Sequence, residues 1–436
     1  MASALKVGVA GLGTVGATLV AQVARQREAL AARCGRAIEV VAVCARSRAK
    51  DRGFDLRKMQ WFSDPVALAR EPGIDVFVEL IGGAGGPAKT AVEAALASGK
   101  SVVTANKALL AKHGVKLAAL AESNHVAVNF EAAVGGAIPI VKTLREGMAG
   151  NSFERIYGIL NGTCNYILTR MEQDRMPFAE CLKEAQRLGY AEADPSFDIE
   201  GHDTAQKLAI LASLAFGTKV DQSAIYVEGI SSITPADLSA ADELGYRVKL
   251  LGVAVRTPKG IEQRVHPTMV RKDSAIAQVM GVTNAVTVDA ADINPLTLVG
   301  PGAGGAATAS AVLSDIGDIA RGVRTAPFGR PTARLASVRK APMQRHEGGY
   351  YIRLVARDKP GTAATIAKRL AEQEISLESI VQRHDPAHIG DTPAGSVPVI
   401  LITYATSEDA VRKSLAAVGR DRVISGRPQV IRIEKN

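Results

Sequence analysis

Cysteine is scarce in this chain: Cys34, Cys44, Cys164 and Cys181 are the only four in 436 residues. None forms a CxxC pair or a metal-ligand spacing, which argues against a cysteine metal site and fits free thiols in a reducing cytoplasm. No apolar run reaches the ~20 residues needed to span a bilayer. The first residues run straight into a strand-like segment with no signal-peptide pattern. A soluble cytoplasmic protein with no membrane partner is expected. Runs of lysine and arginine are also missing. The formal charge of +9 comes from 53 basic and 44 acidic residues spread along the chain, whereas a nucleic-acid binder concentrates its basic charge on one face. With no helix-turn-helix pattern either, no nucleic-acid partner is expected. The basic excess reads as a solvated surface that also attracts anionic ligands.

What is present suffices for several cores. At ~150 residues per domain the length suggests two to four domains. Residues 5–130 alternate strands and helices: strands at 5–11, 38–45, 74–82 and 101–106, helices at 14–33, 88–99 and 107–123. Strands alternating with helices of this length imply βαβ units and a parallel sheet of Rossmann type. From 131 to 304 the pattern turns to α+β, with helices at 137–149, 163–174, 178–188 and 203–216 and strands near 153–159, 249–256, 261–270, 284–290 and 296–299. A late helix at about 305–321 completes the first domain, within 305–325. Residues 326–347, inside an Arg-, Pro- and Gly-rich stretch that begins at 322, read as a linker. The last segment, 348–436, is expected to be separate, with the βαββαβ order of a ferredoxin-like fold.

Gly11-Leu12-Gly13-Thr14-Val15-Gly16 follows the first strand and opens a helix. That is the setting a dinucleotide turn requires. The first glycine permits the turn, the second lets the backbone approach a pyrophosphate, and the third lets helix and strand pack. The phosphates then sit at the helix N-terminus. A turn that merely needs small residues is the bland alternative. The second strand ends in Cys44-Ala45-Arg46-Ser47-Arg48-Ala49-Lys50, where an NAD enzyme usually carries Asp or Glu. Arg46, Arg48 or Lys50 could neutralise a 2′-phosphate, which favours NADP; if they are only solvated loop cations, NAD is the cofactor.

The densest chemistry lies in 185–207. Glu192, Asp194, Asp198 and Asp203 crowd beside Lys207. Asp203 and Lys207 are four apart at a helix start and share a face. Lys207 leads an otherwise apolar helix, where carboxylates can tune it as a proton donor or acceptor. Plain N-terminal capping by the acids is the alternative. Lys107 follows Thr104-Ala105-Asn106 at the C-terminal end of a strand, where open α/β sheets bind ligands.

The stretch from Ala185 to Lys207 resembles the homoserine dehydrogenase signature at every fixed position, and the resemblance extends over the whole chain. It implies reversible hydride transfer between aspartate 4-semialdehyde and L-homoserine. Lys207 matches the family's proton donor and acceptor and Asp203 its orienting carboxylate. Lys107 matches a residue that polarises the substrate oxygen or meets the nicotinamide. Glu192 and Asp198, with Gly189 and Thr163, match the substrate-binding set. Asn161-Gly162-Thr163 also resembles the family, but Cys164 stands where it has Thr or a similar residue. Hydride transfer to an aldehyde needs no thiol, and no cysteine motif resembles that of aspartate-semialdehyde dehydrogenase, which forms a thioester. The 131–138 loop resembles the family's monovalent-cation loop, implying Na+ or a similar ion on Glu131 and the carbonyls of Val134, Gly136 and Ile138. Pro301-Gly302-Ala303-Gly304-Gly305 offers a second amide-rich helix start, with Gly304 near the cofactor. The tail resembles an ACT domain. Asp358-Lys359-Pro360-Gly361 is then an amino-acid-binding loop, with threonine as the expected effector; a dimerisation module without a ligand is the alternative. A homodimer or homotetramer is implied. His384 and His388, four apart with a proline between, read as surface residues. A non-catalytic nucleotide- and amino-acid-sensing protein on the same folds is the rival function.

Overall fold

The computed structural model describes residues 3–341, 343, 346–382 and 395–434; His384 and His388 lie outside them. The chain begins with β1 (Leu5–Ala10), α1 (Thr14–Arg25), α2 (Arg27–Cys34), β2 (Ile38–Cys44), β3 (Gln60–Phe62), α3 (Pro65–Arg70), β4 (Val76–Glu79), α4 (Gly86–Ala97), β5 (Ser101–Thr104), α5 (Lys107–Ser123) and β6 (Val128–Asn129). The six strands form a parallel sheet in the order β3-β2-β1-β4-β5-β6. Order reverses between β1 and β4, so a crevice opens there at the strands' C-terminal ends. Every residue of β4 is buried, as a strand covered on both faces requires.

The helix expected over 14–33 is two helices, broken at Gln26 (φ −103°, ψ 15°). No glycine or proline marks that break. β3, α3 and β6 were not expected, because pieces of two to six residues carry too little periodicity to register.

The middle region holds α6 (Ile140–Lys142), which runs into a π-helical turn at Thr143–Gly147, then β7 (Phe153–Ile159), α7 (Gly162–Asp174), α8 (Phe178–Arg187), α9 (Ser196–Ile199), α10 (His202–Phe216), β8 (Tyr226–Val227), α11 (Pro235–Glu243), β9 (Tyr246–Thr257), β10 (Gly260–Arg271), β11 (Thr283–Ala290), β12 (Ile293–Pro301) and α12 (Gly305–Ala320). The helix expected over 137–149 is therefore shorter and ends in a π turn. α10 is buried from Asp203 to Phe216 except at Gln206, so Lys207 sits on an internal helix. Val312 and Ile316 of α12 pack with Leu19 and Val20 of α1 in one core on the parallel sheet. The stretch after α12 is fastened down. Thr332 bonds Glu122 through its amide and hydroxyl, and buried Phe328 stacks at 5.4 Å on Phe130.

The tail comprises β13 (Glu347–Arg357), α13 (Thr362–Ala371), β14 (Leu377–Gln382), β15 (Ser396–Thr403), β16 (Thr406–Ser407), α14 (Glu408–Arg420) and β17 (Ile424–Ile433). Its four long strands lie in the order β17-β13-β15-β14, with a core of its own around Ile352, Leu354, Ile366 and Val411. It is not a separate body, however. β17 pairs in parallel with β10 through Thr268–Arg432 and Met269–Ile433, so both regions share one sheet. Part-buried ion pairs fasten the seam: Arg353 to Asp237 at 2.6 Å, Arg432 to Glu228 at 2.8 Å, and Glu434 to Arg155 at 3.1 Å and Arg264 at 2.9 Å. The pairing rests on two registered residues far apart in sequence, too little for a pattern to announce.

Candidate active site

The β1–α1 turn shows what each glycine does. Gly11 adopts φ +101°, and a Cβ there would lie 2.4 Å from the Leu80 carbonyl oxygen. A Cβ on Gly16 would lie 1.9 Å from the Gly11 carbonyl oxygen, whereas one on Gly13 would meet nothing within 4 Å. The outer glycines are thus demanded by packing, and the middle one leaves open space. α1 has no side-chain cap at its N-terminus, so the amides of its first turn, among them Thr14, Val15 and Gly16, are free for a ligand. Gly304 (φ +109°) leads into α12, also uncapped by a side chain, and a Cβ on Gly305 would touch Thr14 Cγ2 at 2.8 Å. Two uncapped helix N-termini therefore meet beside the Cβ-free space at Gly13. This donor-rich concavity fits a dinucleotide diphosphate.

Past β2, Arg46, Arg48 and Lys50 are exposed, and none makes an ion pair among the described residues. Sequence reasoning missed Arg52. It donates to the carbonyls of Leu12 (3.2 Å), Ser47 (2.7 Å) and Lys50 (2.7 Å) and lies 5.8 Å from the Trp61 ring centroid. One guanidinium thus ties the cationic loop to the glycine turn.

At the ends of β4 and β5, Glu79 is fully buried. Its carboxylate accepts the amides of Ile81 (2.8 Å) and Gly82 (2.9 Å) and the Thr104 hydroxyl (2.6 Å). The Asn106 side chain caps α5 through the Leu109 amide and donates to the Gly83 carbonyl at 2.8 Å. These bonds fix the start of α5, and Lys107 is its first residue.

Lys107 reaches Asp203 at 3.0 Å, and Lys207 reaches the same carboxylate at 2.8 Å. The Lys207 ammonium also donates to the Leu160 carbonyl at 2.7 Å. Burial alone would raise the Asp203 carboxyl, but the charges of Lys207 and Lys107 and hydrogen bonds from Lys207 and Asn161 hold it at about 2. Asn161 was quoted from the sequence without a role. Its oxygen accepts the Cys164 amide at 2.8 Å, while its nitrogen donates to Asp198 at 2.8 Å and to Asp203 at 2.9 Å. Burial and the neighbouring Asp203 charge push the Asp198 carboxyl up. The Cys164 thiol is also buried, donates to the Asp198 carbonyl and is pushed well up by that burial, which suits no nucleophile.

The structure therefore joins Lys207, Asp203, Lys107 and Asp198 in one cluster. Thr163 borders it, its hydroxyl bonded to the Tyr190 carbonyl at 2.6 Å, which braces the turn at Gly189 (φ +76°). Glu192 is exposed, and no hydrogen bond or ion pair joins it to the cluster among the described residues. Lys107 is the more open of the two lysines, with 34% of its side chain exposed against 11% for Lys207. One buried and one accessible ammonium, sharing a carboxylate, can hold a proton and polarise an oxygen at the same place.

In the 131–138 loop the Glu131 carboxylate accepts the amides of Val141 and Lys142, each at 2.8 Å. Burial raises its pKa to about 7. Ile138 bonds the Gly135 carbonyl at 2.7 Å, and its own carbonyl accepts the Ile140 amide. The carbonyls of Val134 and Gly136, both in buried residues, accept no hydrogen bond among the described residues. Two unclaimed buried oxygens beside a carboxylate fit a monovalent cation. A Cβ on Gly136 would lie 2.6 Å from the Gly302 carbonyl, so this loop abuts the start of α12.

Comparison with known proteins bears on the family and the fold. Family models match as the homoserine dehydrogenase NAD-binding domain over 11–131, homoserine dehydrogenase over 139–316 and the ACT domain over 350–420. The homoserine dehydrogenase of Neisseria gonorrhoeae is 44% identical over 420 residues, covering 95% of each chain. The crystal structure of a homoserine dehydrogenase from Thiobacillus denitrificans superposes with a TM-score of 0.91 at 42% identity, over 99% of this chain and 98% of that one. A hyperthermophilic archaeal homoserine dehydrogenase in complex with NADPH superposes with a TM-score of 0.62 at 27% identity, over 72% of this chain and 97% of that one. From the glycine turn to the ACT tail, the chain belongs to the homoserine dehydrogenase family of NAD(P)-dependent oxidoreductases.

Proposed function

We propose that the chain reduces L-aspartate 4-semialdehyde reversibly to L-homoserine, with Lys207 giving a proton to the carbonyl oxygen in one direction and taking it back in the other. The observation that carries this is the Lys207–Asp203–Lys107 cluster, buried at Lys207 and Asp203 and open at Lys107, at the edge of the nucleotide crevice. A nicotinamide bound at the glycine turn supplies or removes the hydride. Asp203 keeps the two ammonium groups together, Lys207 reaches the substrate oxygen, and Lys107 polarises that oxygen. Asp198, with Glu192 and the Gly189–Thr163 turn, receives the substrate's ammonium and carboxylate. A cation beside Asp198 would offset its desolvation. An intact proton-handling cluster disfavours a purely sensing role. The test is absorbance of the reduced nicotinamide on adding L-homoserine at alkaline pH; no reduction of either NADP or NAD overturns the reading.

NADP is the preferred cofactor in this reading, supported by the unpaired Arg46, Arg48 and Lys50 and by the archaeal relative in complex with NADPH. A higher kcat/KM with NAD would reverse it. Glu131 with the carbonyls of Val134, Gly136 and Ile138 is the proposed cation site, for Na+ or a similar ion. At constant ionic strength one alkali cation should raise Tm more than the others, and Glu131→Gln should abolish the difference. At ~100 times Kd such an ion adds about 2.7 kcal/mol. Threonine is the proposed effector at Asp358–Gly361, where α13 starts at an uncapped glycine (φ +90°); no inhibition at millimolar threonine refutes that. A homodimer or homotetramer in the cytoplasm completes the proposal, in keeping with four unpaired, buried cysteines; sedimentation tests the assembly.

A further inference from the structure

The far end of α10, away from Lys207, borders a cavity of about 320 Å³ between the π turn, the start of β7 and the chain after α12. Arg145, Arg256 and Arg330 line it with Asn151 and Ser152, and none of its lining residues is acidic. Among the described residues only Arg145 of the three has a counter-charge, Glu146 at 2.9 Å. Arg256 lies 5.2 Å from the Phe216 ring centroid, with one long bond to the Phe153 carbonyl at 3.4 Å. Arg330 has no hydrogen bond or ion pair among the described residues. Its guanidinium rests on Gly217, the left-handed cap of α10 (φ +66°), where a Cβ would lie 2.2 Å from Arg330 Cζ. The negative end of the α10 dipole attracts a cation there. That accounts for Arg330 but not for Arg256 on another element across the same space.

Both guanidinium groups are exposed, and two of them on one concave space without a carboxylate partner attract an anion. Planar N–H forks suit an oxyanion, which can accept two bonds from each. We propose that this cavity binds a small, multiply charged oxyanion of the phosphate class, either free or as a phosphomonoester. Asn151 and Ser152 add neutral donors at its rim. The site is distinct from the glycine turn, which holds its own phosphates at the N-terminus of α1.

The test is calorimetric titration of the full chain saturated with nicotinamide dinucleotide, so that the glycine turn is filled. Inorganic phosphate and O-phospho-L-serine are the probes, with succinate as a dicarboxylate control. At least one phosphate probe should bind saturably and more tightly than succinate, and the tighter of the two identifies the source. Arg256→Gln and Arg330→Gln should each weaken it about tenfold or more, with turnover in phosphate-free buffer unchanged. Arg330→Lys keeps the charge without the fork and should fall between. No saturable uptake by ~10 mM probe, tighter binding of succinate, or equal affinity in wild type and both Gln variants overturns the proposal.

Discussion

One carboxylate, Asp203, holds two lysines together, and its charge is the condition for the rest of the cluster. Its pKa in the folded chain, about 2, lies below the ordinary aspartate value. The stability it contributes is therefore complete above ~pH 4 and is lost as pH falls through about 2. Asp203→Asn should be less stable than wild type at neutral pH, because two lysines lose their counter-ion, and the gap should narrow on acidification in that window. A gap in Tm that stays constant from pH 7 to pH 2 would contradict this account. Lys207→Ala should lower kcat by ~10²- to 10⁴-fold with cofactor affinity nearly unchanged; equal loss of both points to a structural role. The pairing of the two residues was legible because they are four apart on one helix, and their roles only because the 185–207 stretch resembles the family signature. Asn161 was not, although it bonds both Asp198 and Asp203. Its task exists only once the end of β7 meets the start of α10, and an N-cap asparagine looks the same in sequence whether or not it has a second task.

The turns and helix starts carry the cofactor logic. Because a Cβ on Gly13 meets open space and one on Gly16 meets the Gly11 carbonyl oxygen, the two alanine variants should fail differently. Gly13→Ala should fold within ~0.5 kcal/mol of wild type and bind dinucleotide at least tenfold more weakly. Gly16→Ala should be destabilised first, by more than ~1 kcal/mol, with denaturant midpoints reporting the difference. If Gly13→Ala binds cofactor normally, the open space is not where the diphosphate lies. Long periodic elements such as α5 and α10 could be read to within a residue or two. The break at Gln26 carries no glycine or proline, and the π turn at Thr143–Gly147 has only its closing Gly147, so tertiary packing decides them. Arg52 and Glu79 act on loop backbones, where no periodicity signals which carbonyl or amide is within reach.

At the scale of the molecule, the tail extends the sheet of the middle region. Removing residues after 346 would strip Glu434 from Arg155 and Arg264, Arg353 from Asp237 and Arg432 from Glu228. Deleting one partner of a fully buried pair costs about 3–5 kcal/mol, and these part-buried pairs lose less each but are lost together. The truncated chain should therefore unfold at markedly lower denaturant or aggregate. A truncated chain as stable and active as the full one would show that the seam is incidental. The βαββαβ order of the tail was readable from alternation alone. Its attachment was not, because the Thr268–Arg432 and Met269–Ile433 pairs lie more than 160 residues apart in sequence.

That attachment has a consequence for biosynthesis. The edge of β10 at Thr268–Met269 leaves the ribosome long before the strand that will cover it. At ~5–20 residues per second it waits roughly ten to thirty seconds as an open strand flank, a template for pairing with neighbouring nascent chains. Synthesis, more than the finished enzyme, is when this protein is most exposed to misassembly, and slowing translation between β10 and β17 should lower its soluble yield.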